Sequence, residues 1–169
     1  MTWNKDLLFS SKRQTWGTPQ PLFDAVAEEF GGFDLDAAAS SANAKCDLYL
    51  TEDQDALTVS WAGHLESNGI DPGVASVWLN PPYGRGVGLW LEKVRAESAL
   101  IQTIVCLVMV RSDTRWWQLH AMRADEIRLI AGRIHFQGGS HGAPAPSALL
   151  IYDARMQRPT IRNVVLPLK

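Results

Sequence analysis

Apolar residues recur with two periods along the chain, and the two periods predict alternating helices and strands. Helical spacing predicts helices over 15–32, 87–99 and 114–122, and short apolar runs predict strands over 33–39, 76–79, 103–110, 126–130, 147–152 and 160–168. The run 103–110 is apolar without alternation, which is typical of a strand buried on both faces of a parallel sheet. Helices and strands alternate in the first two thirds, whereas the last third is rich in strands. We therefore expect one α/β domain with a mostly parallel twisted sheet, helices on both faces and a C-terminal antiparallel hairpin.

The helix predicted over 15–32 has recognisable start and stop signals. Thr18 can cap its first turn, Pro19 suits the first helical position, and Gly31-Gly32 can end it. The segment Trp16-Gly17-Thr18-Pro19 then enters a helix N-terminus, whose free N–H groups can bind a carboxylate or a phosphate. Capping alone would also explain Thr18 and Pro19.

The tetrapeptide Asn80-Pro81-Pro82-Tyr83 follows the predicted strand 76–79 and precedes a glycine-containing loop. It should therefore lie at the carboxyl end of a strand, where open α/β sheets bind ligands. The two prolines stiffen the backbone, Asn80 adds a carbonyl acceptor and Tyr83 adds a flat ring. By chance, such a tetrapeptide arises on the order of once in a few thousand chains of this length. The combination suits the binding of a planar amino group.

A second candidate segment is Phe33-Asp34-Leu35-Asp36, which runs into three alanines. Small residues allow a ligand to approach the backbone, and an acid at a strand end can bind an ammonium group or ribose hydroxyls. A surface strand that leads into an alanine-rich helix explains the same pattern equally well.

Composition limits the class of partner more than it identifies one. The 169 residues are 46% hydrophobic and 20% charged, with a net charge of −2. Nucleic acid would thus have to meet a local basic patch. We expect residues 1–14 to form a flexible arm and residues 15–169 one domain. The apolar run 104–110 is too short to cross a bilayer, and we expect a cytoplasmic protein without a leader segment.

Several segments together resemble the small phage-type DNA N6-adenine methyltransferases, across roughly residues 15–152. Asn80-Pro81-Pro82-Tyr83 is similar to the catalytic motif of that family, and Trp16-Gly17-Thr18-Pro19 looks like its Thr-Pro cofactor segment. Asp34-Leu35-Asp36-Ala37-Ala38 looks like the cofactor loop after the first strand. Asp55-Ala56-Leu57 resembles the acidic segment that holds the cofactor adenine. Arg133-Ile134-His135-Phe136 sits where the family stacks an aromatic ring on the target base.

The resemblance implies a Rossmann-like methyltransferase fold, S-adenosylmethionine as cofactor, DNA as substrate, and neither a metal nor a membrane. It leaves the oligomeric state open and implies a bacterial host cytoplasm with a phage or prophage gene. Asn80 and the Pro81 carbonyl would accept hydrogen bonds from N6 of a flipped adenine, while Tyr83 and Phe136 would stack on the base. The loop ends on the active-site side carry arginines that could contact phosphates: Arg85, Arg111, Arg115 and Arg133.

One feature departs from the family pattern, because Ala37-Ala38-Ala39 replace the usual glycine-rich turn. Without a separate recognition domain, we expect sequence specificity from the loops 64–75 and 137–146. The same tetrapeptide also serves methyltransferases of RNA base amines and of protein glutamine amides. A catalytically silent nucleic-acid-binding module of the same fold is a further alternative, which the altered cofactor loop would favour.

Overall fold

The computed structural model describes residues 16–137, 142–156 and 160–164. The predicted N-terminal arm, 1–14, lies outside these residues, as do 138–141 of the predicted specificity loop. Within the described ranges, no helix combines the length and the apolar character needed to cross a membrane.

Helices and strands alternate as far as residue 130, after which the described elements are strands. The helices are α1 (Gln20–Phe30), α2 (Trp61–Ser67), α3 (Val87–Glu97) and α4 (Arg115–Leu119). The strands are β1 (Leu35–Asp36), β2 (Leu48–Tyr49), β3 (Ser76–Leu79), β4 (Thr103–Met109), β5 (Glu126–Ile130), β6 (Ser147–Asp153) and β7 (Thr160–Val164).

The seven strands form one sheet in the order β2-β1-β3-β4-β6-β5-β7. Six of them run in the same direction, and β6 is antiparallel to both of its neighbours, β4 and β5. This confirms the mostly parallel sheet with a C-terminal antiparallel hairpin, and shows that β6 is inserted between two earlier strands. The carboxyl ends of β1, β3, β4 and β5 lie along one edge of the sheet, and we call this edge the site edge.

Each face of the sheet is covered by its own apolar cluster. On one face, α1 contributes Leu22, Phe23 and Val26 against the side chains of Trp78 and Leu107. On the other face, α2, α3 and α4 pack against alternate residues of the same strands. This confirms helices on both faces, because a continuous apolar strand needs cover on each side.

The start of α1 differs from the prediction. Pro19, not Thr18, is the capping position, and the Thr18 side chain makes no capping hydrogen bond. The carbonyl of Pro19 accepts the first backbone bonds, from Leu22 and Phe23. The correction frees Thr18, which is only 2% exposed, for another role. The predicted end is confirmed, because Gly31 adopts the left-handed conformation there, with φ of 76°.

Three further predictions need correction. The strand expected over 33–39 is limited to the two residues of β1. The sequence did not predict β2 or α2, because a two-residue strand and a seven-residue helix show too little periodicity. His64 to Ser67 belong to α2, so that only 68–75 is a loop. That loop precedes β3 and therefore lies at the opposite edge of the sheet from Asn80. It cannot supply specificity at the site edge.

Candidate active site

Two predicted segments meet where the strand order reverses. From β1 the chain adds β2 on one side and then crosses to β3 on the other, and Asp36 of β1 pairs with Trp78 of β3. The residues that follow β1 and β3 therefore emerge side by side at the site edge. This is the position at which doubly wound sheets bind ligands.

A small, open pocket with a polar lining lies at this point. Four of the predicted residues line it, namely Thr18, Asp36, Ala38 and Asn80. The rest of the lining is Gly17, Asn43, Lys45 and Trp78. The structure thus brings together the segments before α1, after β1 and after β3, which are far apart in sequence.

Asp36 is the buried acid of the pocket, with 3% of its surface exposed. Its Oδ1 accepts the N–H of Ala38 at 3.3 Å, and its Oδ2 accepts the N–H of Lys45 at 3.0 Å. Burial raises the pKa of Asp36 to about 6, although these hydrogen bonds and the Lys45 charge oppose the shift. A buried carboxylate of this kind favours a cationic ligand, because a positive charge beside it would restore its ionised form.

The three alanines after β1 adopt this loop without strain. Asp55 is the one non-glycine residue with positive φ in the described part of the chain, so Ala37, Ala38 and Ala39 need no glycine-like conformation. Backbone bonds at 2.9 Å join Ala37 to Trp78 and Ala39 to Leu50, which fixes the loop against β3 and the end of β2. The replacement of glycine therefore does not by itself impair the loop.

Asn80 uses both ends of its amide within the protein. Its Nδ2 donates to the Trp16 carbonyl at 2.7 Å, and its Oδ1 accepts the Tyr83 hydroxyl at 2.9 Å. The Tyr83 hydroxyl also lies 3.4 Å from the Leu107 carbonyl, and burial raises its pKa far above the usual range. The acceptor predicted for a substrate amino group is thus occupied by a neighbouring side chain of the same motif.

An aromatic triad, defined as Trp16, Tyr83 and Phe136, lies beside Asn80. The three ring centroids are separated by 5.3–5.8 Å, with the Tyr83 and Phe136 rings edge to face. A short antiparallel bridge between Gly17 and Gln137 joins the two segments that carry Trp16 and Phe136. Phe136 is only 3% exposed as a result.

Five predicted cofactor residues do not line the pocket, namely Trp16, Pro19, Ala37 and the two acids Asp34 and Asp55. Asp34 precedes β1, and its Oδ2 accepts the Ser76 N–H at 2.8 Å, so that it joins the amino ends of β1 and β3. Its carboxylate thus has a structural partner at the amino end of β1, whereas the predicted cofactor contact would lie at the carboxyl end. Asp55 follows β2 at the site edge and has a left-handed φ of 54°. Such unfavourable backbone conformations cluster at functional sites.

The predicted arginines all lie on segments that leave the site edge. Arg85 follows β3, Arg111 follows β4, Arg115 opens α4 and Arg133 follows β5; all four are exposed. In the described ranges none of them forms an ion pair. Ordinary pairing with the protein's own acids therefore does not account for these charges.

Sequence reasoning missed Asn43 and Lys45. They belong to the segment between β1 and β2, and Asn43 Oδ1 accepts the N–H and the hydroxyl of Ser40. A useful signal was present, because a segment that follows a strand at the reversal of the sheet order faces the ligand site.

The fold and the position of this pocket define a doubly wound α/β protein with a polar pocket at the site edge. Residues 6–161 match the sequence model of the family described as DNA N-6-adenine-methyltransferase (Dam). The chain therefore belongs to this family of adenine-specific DNA methyltransferases.

Individual relatives agree with the family. The DNA N-6-adenine-methyltransferase of Haemophilus phage HP1 (strain HP1c1) is 27% identical over 152 residues, which cover 86% of this chain and 82% of the relative. That of Escherichia phage T1 is 28% identical over 115 residues, covering 68% and 44%. Among solved structures, a predicted O-methyltransferase, protein Atu636 of Agrobacterium tumefaciens, matches with a TM-score of 0.41 and 15% identity over 78% of each chain.

Proposed function

We propose that the protein transfers a methyl group from S-adenosylmethionine to N6 of an adenine turned out of DNA, and that the two substrates meet at Asn80. One observation carries the proposal: Asn80 lines the same pocket as Asp36. An amino group held by Asn80 would therefore lie beside whatever that pocket binds. The family membership identifies the amino group as N6 of adenine.

The pocket residues fit a methyl donor of this kind. S-adenosylmethionine would supply a methyl group on a cationic sulfonium, together with an adenosine and an amino acid end. The Asp36 carboxylate favours a nearby positive charge, and Ala38 and Gly17 leave the backbone accessible. Asp55 lies beyond β2 on the same edge and is placed to take part on the adenosine side.

On the base side, Asn80 would exchange one partner for another. Its Nδ2 bond to the Trp16 carbonyl fixes the amide so that Oδ1 faces the Tyr83 hydroxyl. The target amino group takes the place of that hydroxyl, and the Pro81 carbonyl accepts its second hydrogen. The bond from N6 to the methyl carbon would form as the sulfur–methyl bond breaks, which leaves S-adenosylhomocysteine, and the extra N6 proton would pass to water after the transfer. The chain then needs no strong general base, and positioning and preorganised acceptors carry most of the effect.

The aromatic triad would have to open for this exchange. Tyr83 and Phe136 now contact each other, and their faces become available to a base only when the rings separate. Stacking of the base on an aromatic ring contributes about 1–3 kcal/mol, which can offset the ring contacts that are lost. The arginines of the site edge would hold the phosphates on either side of the base.

The direct test uses tritiated S-adenosylmethionine and unmethylated duplex DNA. After digestion to nucleosides, we expect the label in N6-methyldeoxyadenosine, and none with a duplex whose adenines are already methylated at N6. Label in cytosine, in RNA alone or in protein alone would contradict the proposal. A complete lack of transfer, with no heat of S-adenosylmethionine binding, would favour the silent binding module.

A further inference from the structure

Lys45 lines the same pocket as Asp36 but has no acidic partner within it. Its Nζ donates to Oε1 of Gln20 at 2.8 Å, and in the described ranges that neutral oxygen is its one hydrogen-bond partner. No carboxylate of these residues lies within ion-pair distance of it. An ammonium group can donate three hydrogen bonds. Two of them are available to a ligand.

The surroundings of Lys45 favour the binding of an anion. The residue is half-buried, and the loss of solvation lowers the pKa of its ammonium group, although Asp36 and Asp24 act in the opposite direction. A further negative charge in contact would compensate for that loss. Asp36 does not supply this contact itself, because no hydrogen bond or ion pair joins its carboxylate to Lys45 Nζ.

Thr18 adds a second unused donor to the same pocket. It is 2% exposed, lines the pocket, and its hydroxyl has no hydrogen-bond partner among residues 16–137, 142–156 and 160–164. The hydroxyl is therefore free to donate a hydrogen bond to a ligand oxygen in the pocket.

We propose that Lys45 and the Thr18 hydroxyl bind the carboxylate of the amino acid end of S-adenosylmethionine. The inference rests on the proposed function. The pocket thereby carries one acid and one base, which matches the two opposite charges of a free α-amino acid group. The proposal distinguishes Lys45 from Asp36, whose charge favours the cationic parts of the same ligand.

Titration calorimetry with two ligands tests the assignment. Decarboxylated S-adenosylmethionine keeps the adenosine, the sulfonium and the amino group, and lacks only the carboxylate. We expect wild-type protein to prefer S-adenosylmethionine by about 10- to 100-fold, the range of a charge-assisted hydrogen bond. Lys45→Met should lose this preference and bind the decarboxylated ligand within about threefold of wild type.

Two variants serve as controls. Lys45→Arg keeps the charge and should retain part of the preference. Arg95→Met removes one positive charge from an exposed position near the end of α3, and should leave both affinities unchanged. Melting temperatures show whether each variant is folded. If Lys45→Met melts early, Lys45→Gln takes its place in the same comparison.

The possible outcomes separate the two proposals. A wild-type protein that binds neither ligand overturns the proposed function. A wild-type preference below about threefold overturns the carboxylate assignment, as does a Lys45→Met variant that weakens both ligands equally. In those last two cases S-adenosylmethionine binding itself, and hence the proposed function, still stands.

Discussion

The two sides of Asn80 are built in opposite ways. The proposed cofactor side, around Asp36 and Lys45, is an open polar pocket in which charged groups are held partly or wholly out of water. On the proposed base side the three rings of the aromatic triad contact one another, and the Asn80 amide and the Tyr83 hydroxyl already have partners. Unused polar groups on the first side and satisfied ones on the second indicate different modes of binding.

On the proposed function, the cofactor side offers polar groups that lack partners, whereas the base side must rearrange. The Tyr83 hydroxyl has to leave Asn80 Oδ1, and the rings have to separate. Losing one such hydrogen bond costs about 1 kcal/mol, and a pair of aromatic rings contributes about 0.5–1.5 kcal/mol beyond its area. These costs are small enough for a base to overcome by stacking.

The largest expected effect comes from Asn80→Ala. It removes the side-chain acceptor of the target amino group, so we expect methylation to fall by about 100- to 1,000-fold, the loss typical of one preorganised hydrogen-bonding group. S-adenosylmethionine affinity should stay within about threefold, because the charged groups of the pocket remain. Radiolabel transfer and calorimetry measure the two quantities. Asn68→Ala, at the end of α2, is the matched control. Equal losses of both quantities would show that Asn80 is structural.

Asp36→Asn should weaken the binding of S-adenosylmethionine and raise the stability of the folded protein. We expect S-adenosylmethionine affinity to fall by about 100-fold, since the favourable charge is lost. The pKa of Asp36 is raised from 3.8 to about 6, so its ionised form destabilises the folded state above that pH. That cost amounts to roughly 3 kcal/mol before the loss of one backbone acceptor, worth about 1 kcal/mol, is subtracted.

The sign of this effect follows from the raised pKa. Between pH 3.8 and about pH 6, the Asp36 carboxyl keeps its proton in the folded protein, whereas in the unfolded chain it has lost it. The asparagine variant should therefore melt higher than wild type near pH 8, and the gain should shrink as the pH falls below 6. A gain that stays constant from pH 8 to pH 5 would contradict the assignment of the buried charge.

Tyr83 variants should affect the base side alone. Tyr83→Phe removes the hydroxyl from Asn80 and keeps the ring, so the KM for DNA should fall by up to about fivefold, the equivalent of about 1 kcal/mol. Tyr83→Ala removes the stacking surface and should raise the KM by about 10- to 100-fold. Steady-state kinetics on duplex DNA distinguish the two. If Tyr83→Phe raises the KM as strongly as Tyr83→Ala, the hydroxyl is a substrate contact and not a competitor of the substrate.

The smallest expected effect is that of a single arginine at the site edge. Arg111→Gln should lower the slope of log K against log salt for DNA binding by about 1, without changing the preferred sequence. Fluorescence anisotropy at several salt concentrations measures this slope. Arg95→Gln should leave it unchanged, because α3 runs from the site edge toward the opposite edge. A similar change in both variants would place no phosphate at Arg111.

The sequence predicted the strands that correspond to long runs of apolar residues. The strand expected over 103–110 is β4 with one residue fewer, and 126–130 is reproduced by β5. It failed for β1 and β2, whose two residues each are held by neighbouring strands and not by local preference. The position of the loop 68–75 could have been deduced, because a loop that precedes a parallel strand lies at the edge of the sheet opposite the site edge.

For the site, the tetrapeptide could be located but its internal contacts could not. A strand end followed by Asn80 is visible in the sequence, whereas the bond from the Tyr83 hydroxyl to Asn80 depends on how the two prolines turn the chain. Lys45 reaches the pocket only because the Asp36 carboxylate accepts its N–H and draws the loop inward. Such contacts between distant segments follow from tertiary geometry and leave no local pattern.

The position of β6 between β4 and β5 also bears on the order of assembly during synthesis. Strands β2, β1 and β3 pair among themselves from residues 35–79, so the cofactor side has its sheet before the rest of the chain exists. Strand β4 gains its second neighbour only when residues 147–153 arrive, and β5 has no place in the sheet until then. A nascent chain would expose β4 as an unpaired edge, which is prone to aggregate. The half of the sheet that contains β4, β5 and β6 is therefore expected to be completed last on the ribosome.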